Sequence, residues 1–168
     1  MADHYAQVER EIHNGRVQGT ELDYLFEVPE KLCGVLKHKS EIGIELKRAY
    51  DAKDTQTLRR IATEVIPVIS EAVRELRAAH RTQWLSMYKP FGWEVLDIRY
   101  GGVVNRLDTA TLRLLDYVEG RIGQIDELEQ ERLLYSSVNR FNNKGVGWCS
   151  YYYRMASPNV FFHVLNPF

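Results

Sequence analysis

The chain has 168 residues, enough to bury a real core but too few for a (β/α)8 barrel, which needs about 200 or more. Its 45% apolar and 27% charged residues are typical of an ordinary globular domain, and 22 basic against 23 acidic side chains leave no basic footprint for nucleic acid. No run reaches the roughly 18 apolar residues that span a bilayer, so we expect neither a nucleic-acid nor a membrane partner.

The first predicted element is a short charged helix over residues 1–13 that ends at Asn14 and Gly15, a pair typical of a helix stop. We also interpret residues 1–19 as a flexible or artificial edge of the domain. The polar start MADHYAQVERE lacks the apolar core of a secretory signal, and Cys33 and Cys149 form no CxxC pair. We therefore expect reduced thiols and a cytoplasmic chain.

A long helix is predicted to follow Pro29, which fits a first-turn position. Apolar residues recur along it at roughly helical spacing: Leu32, Val35, Leu36, Leu46 and Tyr50. Gly34 and Gly43 lie inside this helix, where each glycine costs about 1 kcal/mol relative to alanine. They indicate either a close approach by a neighbouring helix or glycines that are merely tolerated.

A second long helix is predicted from Asp54, a favourable N-cap residue. Its apolar face consists of Leu58, Ile61, Val65, Ile69, Val73, Leu76 and Trp84. Pro67 within this pattern removes one backbone hydrogen bond and clashes with the preceding turn. We therefore expect the helix to bend near Thr63–Ile66 or to break there.

A third helical region is predicted after Lys89 and Pro90, and it closes at Gly120 and Gly123. Its apolar positions are Val95, Leu96, Ile98, Leu107, Leu112, Leu115 and Val118. Residues 125–134 form a further short helix with many charges.

These elements predict an all-α fold, a bundle of three to four main helices. We expect residues 1–168 to form a single helical accessory domain that ends in an irregular, aromatic-rich segment over 137–168. The rings of that segment are too apolar to stay uncovered: Trp148, Tyr151, Tyr152, Tyr153, Phe161 and Phe162.

No catalytic, cofactor-binding or metal-binding residue is predicted. The five histidines and two cysteines show no zinc or Glu-x-x-His spacing, and no GxGxxG or Walker sequence is present. Both cysteines are expected as buried apolar residues, and the isolated histidines as surface or core residues, with His80 the most notable. Asp126 and Glu127 resemble a catalytic acid pair, but they open a charged helix, where acids are favoured by the helix dipole.

The stretch KPFGWEVLDIRYGG, residues 89–102, has two interpretations. In the packing interpretation, Trp93 is a core anchor, and a surface ion pair joins Asp97 or Glu94 to Arg99 or Arg106. The glycines that let helices approach closely are then Gly92, Gly101 and Gly102.

In the interface interpretation, Trp93, Arg99 and Tyr100 form the edge of a docking surface, because aromatic residues and arginine dominate interface hot spots. Neither interpretation requires chemistry at this stretch.

A resemblance to a known family is carried by two stretches of the sequence. They are LKRAYDAKDTQTLRRIA and HRTQWLSMYKPFGWEVLDIRYGGVVNRLDTATLRLLDYVEGRIGQIDELEQERL. The pattern is H-R-x-x-W, then K-P-F-G-W-E-V-x-D-x-R-Y-G-G, then a helix with R-L and a closing E-L-E. It resembles the helical C-terminal region of a group of bacterial β-N-acetylhexosaminidases of glycoside hydrolase family 20, over roughly residues 20–135.

The resemblance implies a three-part enzyme with a small α/β domain, a catalytic (β/α)8 barrel and this helical domain. It also implies a retaining, substrate-assisted reaction, in which the acetamido oxygen of the sugar attacks the anomeric carbon. A glutamate of the barrel protonates the leaving oxygen, and a neighbouring aspartate orients the acetamido group. Asp126 and Glu127 do not match those acids, because their setting here is helical.

We therefore expect a non-catalytic C-terminal domain that packs on the catalytic barrel, supports subunit pairing as a homodimer and is inactive alone. The parent enzyme would release terminal N-acetylglucosamine or N-acetylgalactosamine. The candidate interface residues are Trp84, Trp93, Asp97, Arg99, Tyr100 and Arg106. The alternatives are an independent carbohydrate-binding or protein-interaction module, with Trp148 and the tyrosines after it stacking on sugar rings, or a small intact hydrolase.

Overall fold

The structure, a computed structural model, describes residues 1–16, 20 and 22–130. These residues contain helices and no strand, which confirms the all-α prediction. The chain divides into two units, residues 1–125 and 126–168. The first contains four main helices, in agreement with the predicted number. The prediction of a single domain over 1–168 stays a prediction.

The first two helices, α1 (Ala2–Gly15) and α2 (Tyr24–Asp51), pack against each other. The Lys37 ammonium donates to the Glu9 carboxylate at 2.7 Å. A Cβ at Gly34 would lie 3.1 Å from Oε1 of Glu9, so α1 does approach α2 closely at this glycine. Among the described residues, no atom would meet a Cβ at Gly43 within 4 Å, which makes Gly43 the merely tolerated glycine of the two.

The prediction that Pro29 lies in the first turn of its helix is wrong, because α2 already begins at Tyr24. Arg16 holds the start of α2 by donating to Asp23 at 2.9 Å and to Glu30 at 2.9 Å. These charge-assisted bonds favour helical structure one turn before the proline. The apolar spacing also misplaced Leu32, which is exposed, whereas Val35 and Tyr50 are buried as predicted.

The second long helix is built in three parts, α3 (Thr55–Arg60), a π-helical turn (Ile61–Val65) and α4 (Ile66–Met87). The Asp54 carboxylate accepts from the backbone N–H of Thr57 at 3.0 Å, which confirms the predicted N-cap. In the π-helical turn, the N–H of Ile66 bonds to the carbonyl of Ile61. The distortion predicted before Pro67 is therefore present as a π-helical turn, a known way for a helix to absorb such strain.

The fourth main helix, α5 (Trp93–Val118), follows α4 after a short turn, so the two pack as an antiparallel pair. The core between α2, α4 and α5 is centred on Val35, Ile69, Val73 and Leu76. Ile98 and Leu112 were predicted on the apolar face, yet both are exposed. Each lies two residues from a core-facing residue of α5, Tyr100 or Leu114, which is about 200° around the helix.

Tyr50, near the end of α2, contacts the residues at the end of α5 and just after it. Its hydroxyl accepts from the buried backbone N–H of Ile125 at 3.1 Å, and its ring lies 5.1 Å from that of Tyr117. Leu58 and Ile61 nearby in the chain are fully buried. Tyr50 therefore links α2 to the backbone that follows α5.

In the second unit, the described part is α6 (Asp126–Glu129), which covers the start of the helix predicted at 125–134. Asp126 and Glu127 stand in its first turn, so their predicted helical setting is confirmed. The aromatic segment 137–168 and Cys149 lie outside the described residues. Cys33 is buried, as expected. Among the helices that the structure describes, none combines the length and hydrophobicity required to cross a membrane.

Candidate docking surface at the α4–α5 turn

An aromatic cluster joins the end of α4 to the start of α5, and it consists of His80, Trp84, Trp93 and Tyr100. The His80 ring lies edge-on to Trp93, with centroids 5.5 Å apart at 89°, and edge-on to Tyr100 at 6.0 Å and 83°. Such T-shaped contacts place a ring edge against a π-face and are favourable beyond their buried area. The spacing explains the cluster: residues 80 and 84, like 93 and 100, share one face of their helix.

One hydrogen bond crosses the cluster, with 2.9 Å between Nδ1 of His80 and the hydroxyl of Tyr100. Burial lowers the pKa of His80 and raises the pKa of Tyr100, so both side chains are favoured in their neutral forms. A neutral imidazole with its proton on Nε2 accepts the tyrosine hydrogen at Nδ1. The pair therefore ties α4 to α5 as a structural bond between neutral groups.

Trp84 stabilises the α4–α5 turn, residues 88–92, by one hydrogen bond and one ring contact. The indole N–H of Trp84 donates to the carbonyl of Lys89 at 3.0 Å, and the Trp84 ring lies 5.0 Å from that of Tyr88. Gly92 has φ = +97°, and a Cβ there would lie 3.3 Å from the Trp84 ring. Its N–H donates to the Glu94 carboxylate at 2.8 Å. The turn is thus fixed on both sides and requires glycine at 92.

The close helix approach predicted at Gly101 and Gly102 is wrong. In the part of the chain that the structure describes, no atom would meet a Cβ at either position within 4 Å. Both lie in the middle of α5, where glycine is not needed for space. The approach occurs only at Gly92, of these three.

Four apolar side chains in the turn and in the last turn of α4 are exposed to solvent, and together they are called the turn surface. Their exposed fractions are 39% for Leu85, 48% for Met87, 60% for Tyr88 and 85% for Phe91. Sequence reasoning did not single out these residues. The signal was available in K-P-F-G, because a large aromatic residue between proline and glycine sits in a turn rather than on a helix face.

The charged residues around the turn pair differently from the prediction. Asp97 accepts from Nε of Arg77 at 2.9 Å, across α4 and α5, and not from Arg99 or Arg106. Arg99 follows Asp97 by only two residues and Arg106 by nine, spacings that do not place side chains together on a helix. Glu94 instead caps Gly92.

The six predicted interface residues fall into three groups. Trp93 is only 7% exposed and lies in the interior of the chain, as the packing interpretation expects. Trp84, Asp97 and Tyr100 are half-buried, whereas Arg99 and Arg106 are exposed. The turn surface adds the apolar area that this set lacks. A docking role for any of the six stays a prediction.

The family to which the chain belongs follows from one comparison. The model of the Glycoside Hydrolase 20C C-terminal domain matches residues 1–147, which include every described helix. No curated protein sequence matches the chain. By its description the family stands beside a catalytic domain in the same enzyme. The chain therefore belongs to the family of glycoside hydrolase 20C C-terminal domains.

Proposed function

We propose that the chain is the non-catalytic C-terminal domain of a cytoplasmic, bacterial β-N-acetylhexosaminidase, which packs on the catalytic barrel and supports subunit pairing. The observation that carries this proposal is the turn surface, where Phe91 and its neighbours are held in solvent by an ordered turn. Large apolar side chains in such a position mark interaction sites. Membership of the domain family supplies the partner, the catalytic domain of the same enzyme.

In this proposal the chemistry belongs to the barrel. The enzyme retains configuration and releases terminal N-acetylglucosamine or N-acetylgalactosamine with assistance from the substrate's own acetamido group. Asp126 and Glu127 take no part, because they stand in the first turn of α6, where acids stabilise a helix start. The tie between His80 and Tyr100 also has a structural role, since both groups are favoured as neutral.

The test mixes the 168-residue chain with a parent enzyme lacking this region and measures association by analytical ultracentrifugation. We expect a complex, and no turnover of a chromogenic N-acetylglucosaminide by the chain alone. Turnover by the chain alone would contradict the proposal and favour a small hydrolase. Absence of a complex, together with saturable quenching of tryptophan fluorescence by N-acetylglucosamine oligomers, would favour the carbohydrate-binding alternative.

A further inference from the structure

We propose that the turn surface docks into an apolar depression of the catalytic domain that is edged by carboxylates, with Phe91 as the anchor. This inference rests on the proposed function. It specifies which side of the chain meets the catalytic domain and the chemistry of the surface that receives it.

The turn is organised before any partner binds. Trp84 holds the carbonyl of Lys89, and Gly92 is fixed between the Trp84 ring and the Glu94 carboxylate. Phe91 lies between these two fixed points and is 85% exposed. Because the backbone is already ordered, docking at this turn loses little conformational entropy. A large aromatic residue on a fixed backbone is the residue type that dominates interface hot spots.

The area agrees with a domain interface. Exposed at 85% and 60%, Phe91 and Tyr88 present on the order of 300 Å² if each side chain buries roughly 150–250 Å². A complementary partner would bring the total to about 600 Å², the lower bound for interfaces between domains of one chain.

The charges around the turn identify the chemistry of the partner. Arg81, Lys89 and Arg99 are exposed, and the described part of the chain offers none of them an ion pair. Of the two acids in this stretch, Asp97 is paired with Arg77, whereas Glu94 accepts from the Gly92 N–H and keeps its negative charge. Among the described residues around the turn, one unpaired negative charge therefore stands against three unpaired positive charges. The surroundings of the patch are therefore positive, and carboxylates on the partner complement them.

The same charges disfavour a second copy of this chain as the occupant. A two-fold contact places the same patch of both subunits face to face. Lys89 lies within the turn itself, so such a contact would bring the cations of the two copies together. Juxtaposed like charges oppose association. The catalytic domain is thus the favoured occupant.

The experiment measures hydrogen exchange of peptides spanning residues 85–91 in the intact parent enzyme and in the 168-residue chain. We expect exchange at least tenfold slower in the parent enzyme. Phe91→Ser should return these peptides to the rate of the 168-residue chain, whereas Leu112→Ser, a matched change at an exposed residue of α5, should leave them protected. Lys89→Glu should accelerate exchange more than Lys89→Gln, because it reverses the charge.

Equal exchange in both contexts, or protection that survives Phe91→Ser and Lys89→Glu, would overturn the inference. If the chain still forms a complex with the parent enzyme lacking this region, the proposed function stands and only the docking side is wrong. If no complex forms, both fail. A concentration-dependent slowing of exchange in the 168-residue chain alone would show that a second copy occupies the surface, and would also overturn the inference.

Discussion

The two ends of the long helix from α3 to α4 contrast in what covers their apolar side chains. At the first end, Leu58 and Ile61 are fully buried, and Tyr50 closes the layer by accepting from the Ile125 N–H. At the last end, Trp84 orders a turn that leaves Phe91 in solvent. Hydrogen bonds fix both ends, but at the last end Tyr88 and Phe91 stay exposed although Trp93 is buried. In our proposal these exposed side chains serve a partner.

The largest expected effect comes from breaking the buried end. Ile61→Ala should lower the free energy of unfolding by about 2–5 kcal/mol, because it leaves a cavity at a fully buried site, the first residue of the π-helical turn. Leu112→Ala, at a residue that is 62% exposed, should change it by less than about 0.5 kcal/mol. Urea unfolding monitored by circular dichroism measures both. Equal losses of unfolding free energy in the two variants would mean that Ile61 is not part of the buried core.

A smaller effect is expected at the turn itself. Gly92→Ala should cost about 1–2 kcal/mol, because alanine is strained at φ = +97° and its Cβ would lie 3.3 Å from the Trp84 ring. Gly101→Ala is the matched control in the helix interior, where open space allows alanine to stabilise by up to about 1 kcal/mol. Urea unfolding of both variants should therefore shift in opposite directions. A neutral Gly92→Ala would show that the turn is not fixed.

The free energy of unfolding should depend on pH through the last end of the long helix, because the hydrogen-bonded pair His80 and Tyr100 there is favoured in its neutral form. Burial lowers the pKa of His80 below its unfolded value of about 6.5, so the unfolded chain takes up the proton first. The contribution of His80 to stability is therefore complete above about pH 6.5 and declines as the pH falls through the lower, folded pKa. Burial raises the pKa of Tyr100, so a second decline is expected above about pH 10.

Unfolding free energies measured from pH 5 to 11 test this pair of titrations. Tyr100→Phe should reduce the alkaline decline, and His80→Phe should reduce the acid one. The alkaline decline that remains in Tyr100→Phe belongs to Cys33 and Lys31. Burial raises the pKa of Cys33, and the hydrogen bond to Glu75 raises the pKa of Lys31.

An acid decline of the same size in His80→Phe would assign it to other groups, such as Glu30. Burial opposes ionisation of Glu30, but hydrogen bonds from His13 and Arg16 outweigh it, so its pKa is lowered.

Much of the fold could be predicted from local signals. Asp54 has the side chain that an N-cap requires, and Pro67 has no N–H to donate to the preceding turn, so the N-cap and the helix distortion both occur where expected. The start of α2 was predicted too late, at Pro29, because proline is common in the first turn of a helix. The true start at Tyr24 depends on Arg16, which donates hydrogen bonds to Asp23 and Glu30. The spacing of apolar residues along a helix cannot indicate hydrogen bonds between charged side chains such as these.

The surface that we propose for docking was anticipated only in part. The motif KPFGWEVLDIRYGG includes the turn that carries Phe91, but Trp93 is interior and Phe91 was not singled out. The partner of Asp97 lies on a different helix, at Arg77, which no spacing along α5 can indicate. The exposure of Phe91 depends on Trp84 folding beneath the turn, a tertiary contact that is invisible to sequence patterns.

The smallest expected effect in the chain alone gives the most direct test of the central claim. The melting temperature of Phe91→Ser should equal that of the unaltered sequence in the 168-residue chain, because the side chain is 85% exposed there. In the intact parent enzyme the same substitution should lower the melting temperature of this domain, because it removes a docked anchor. Equal melting temperatures in both contexts would contradict the claim that the turn surface is covered by the catalytic domain.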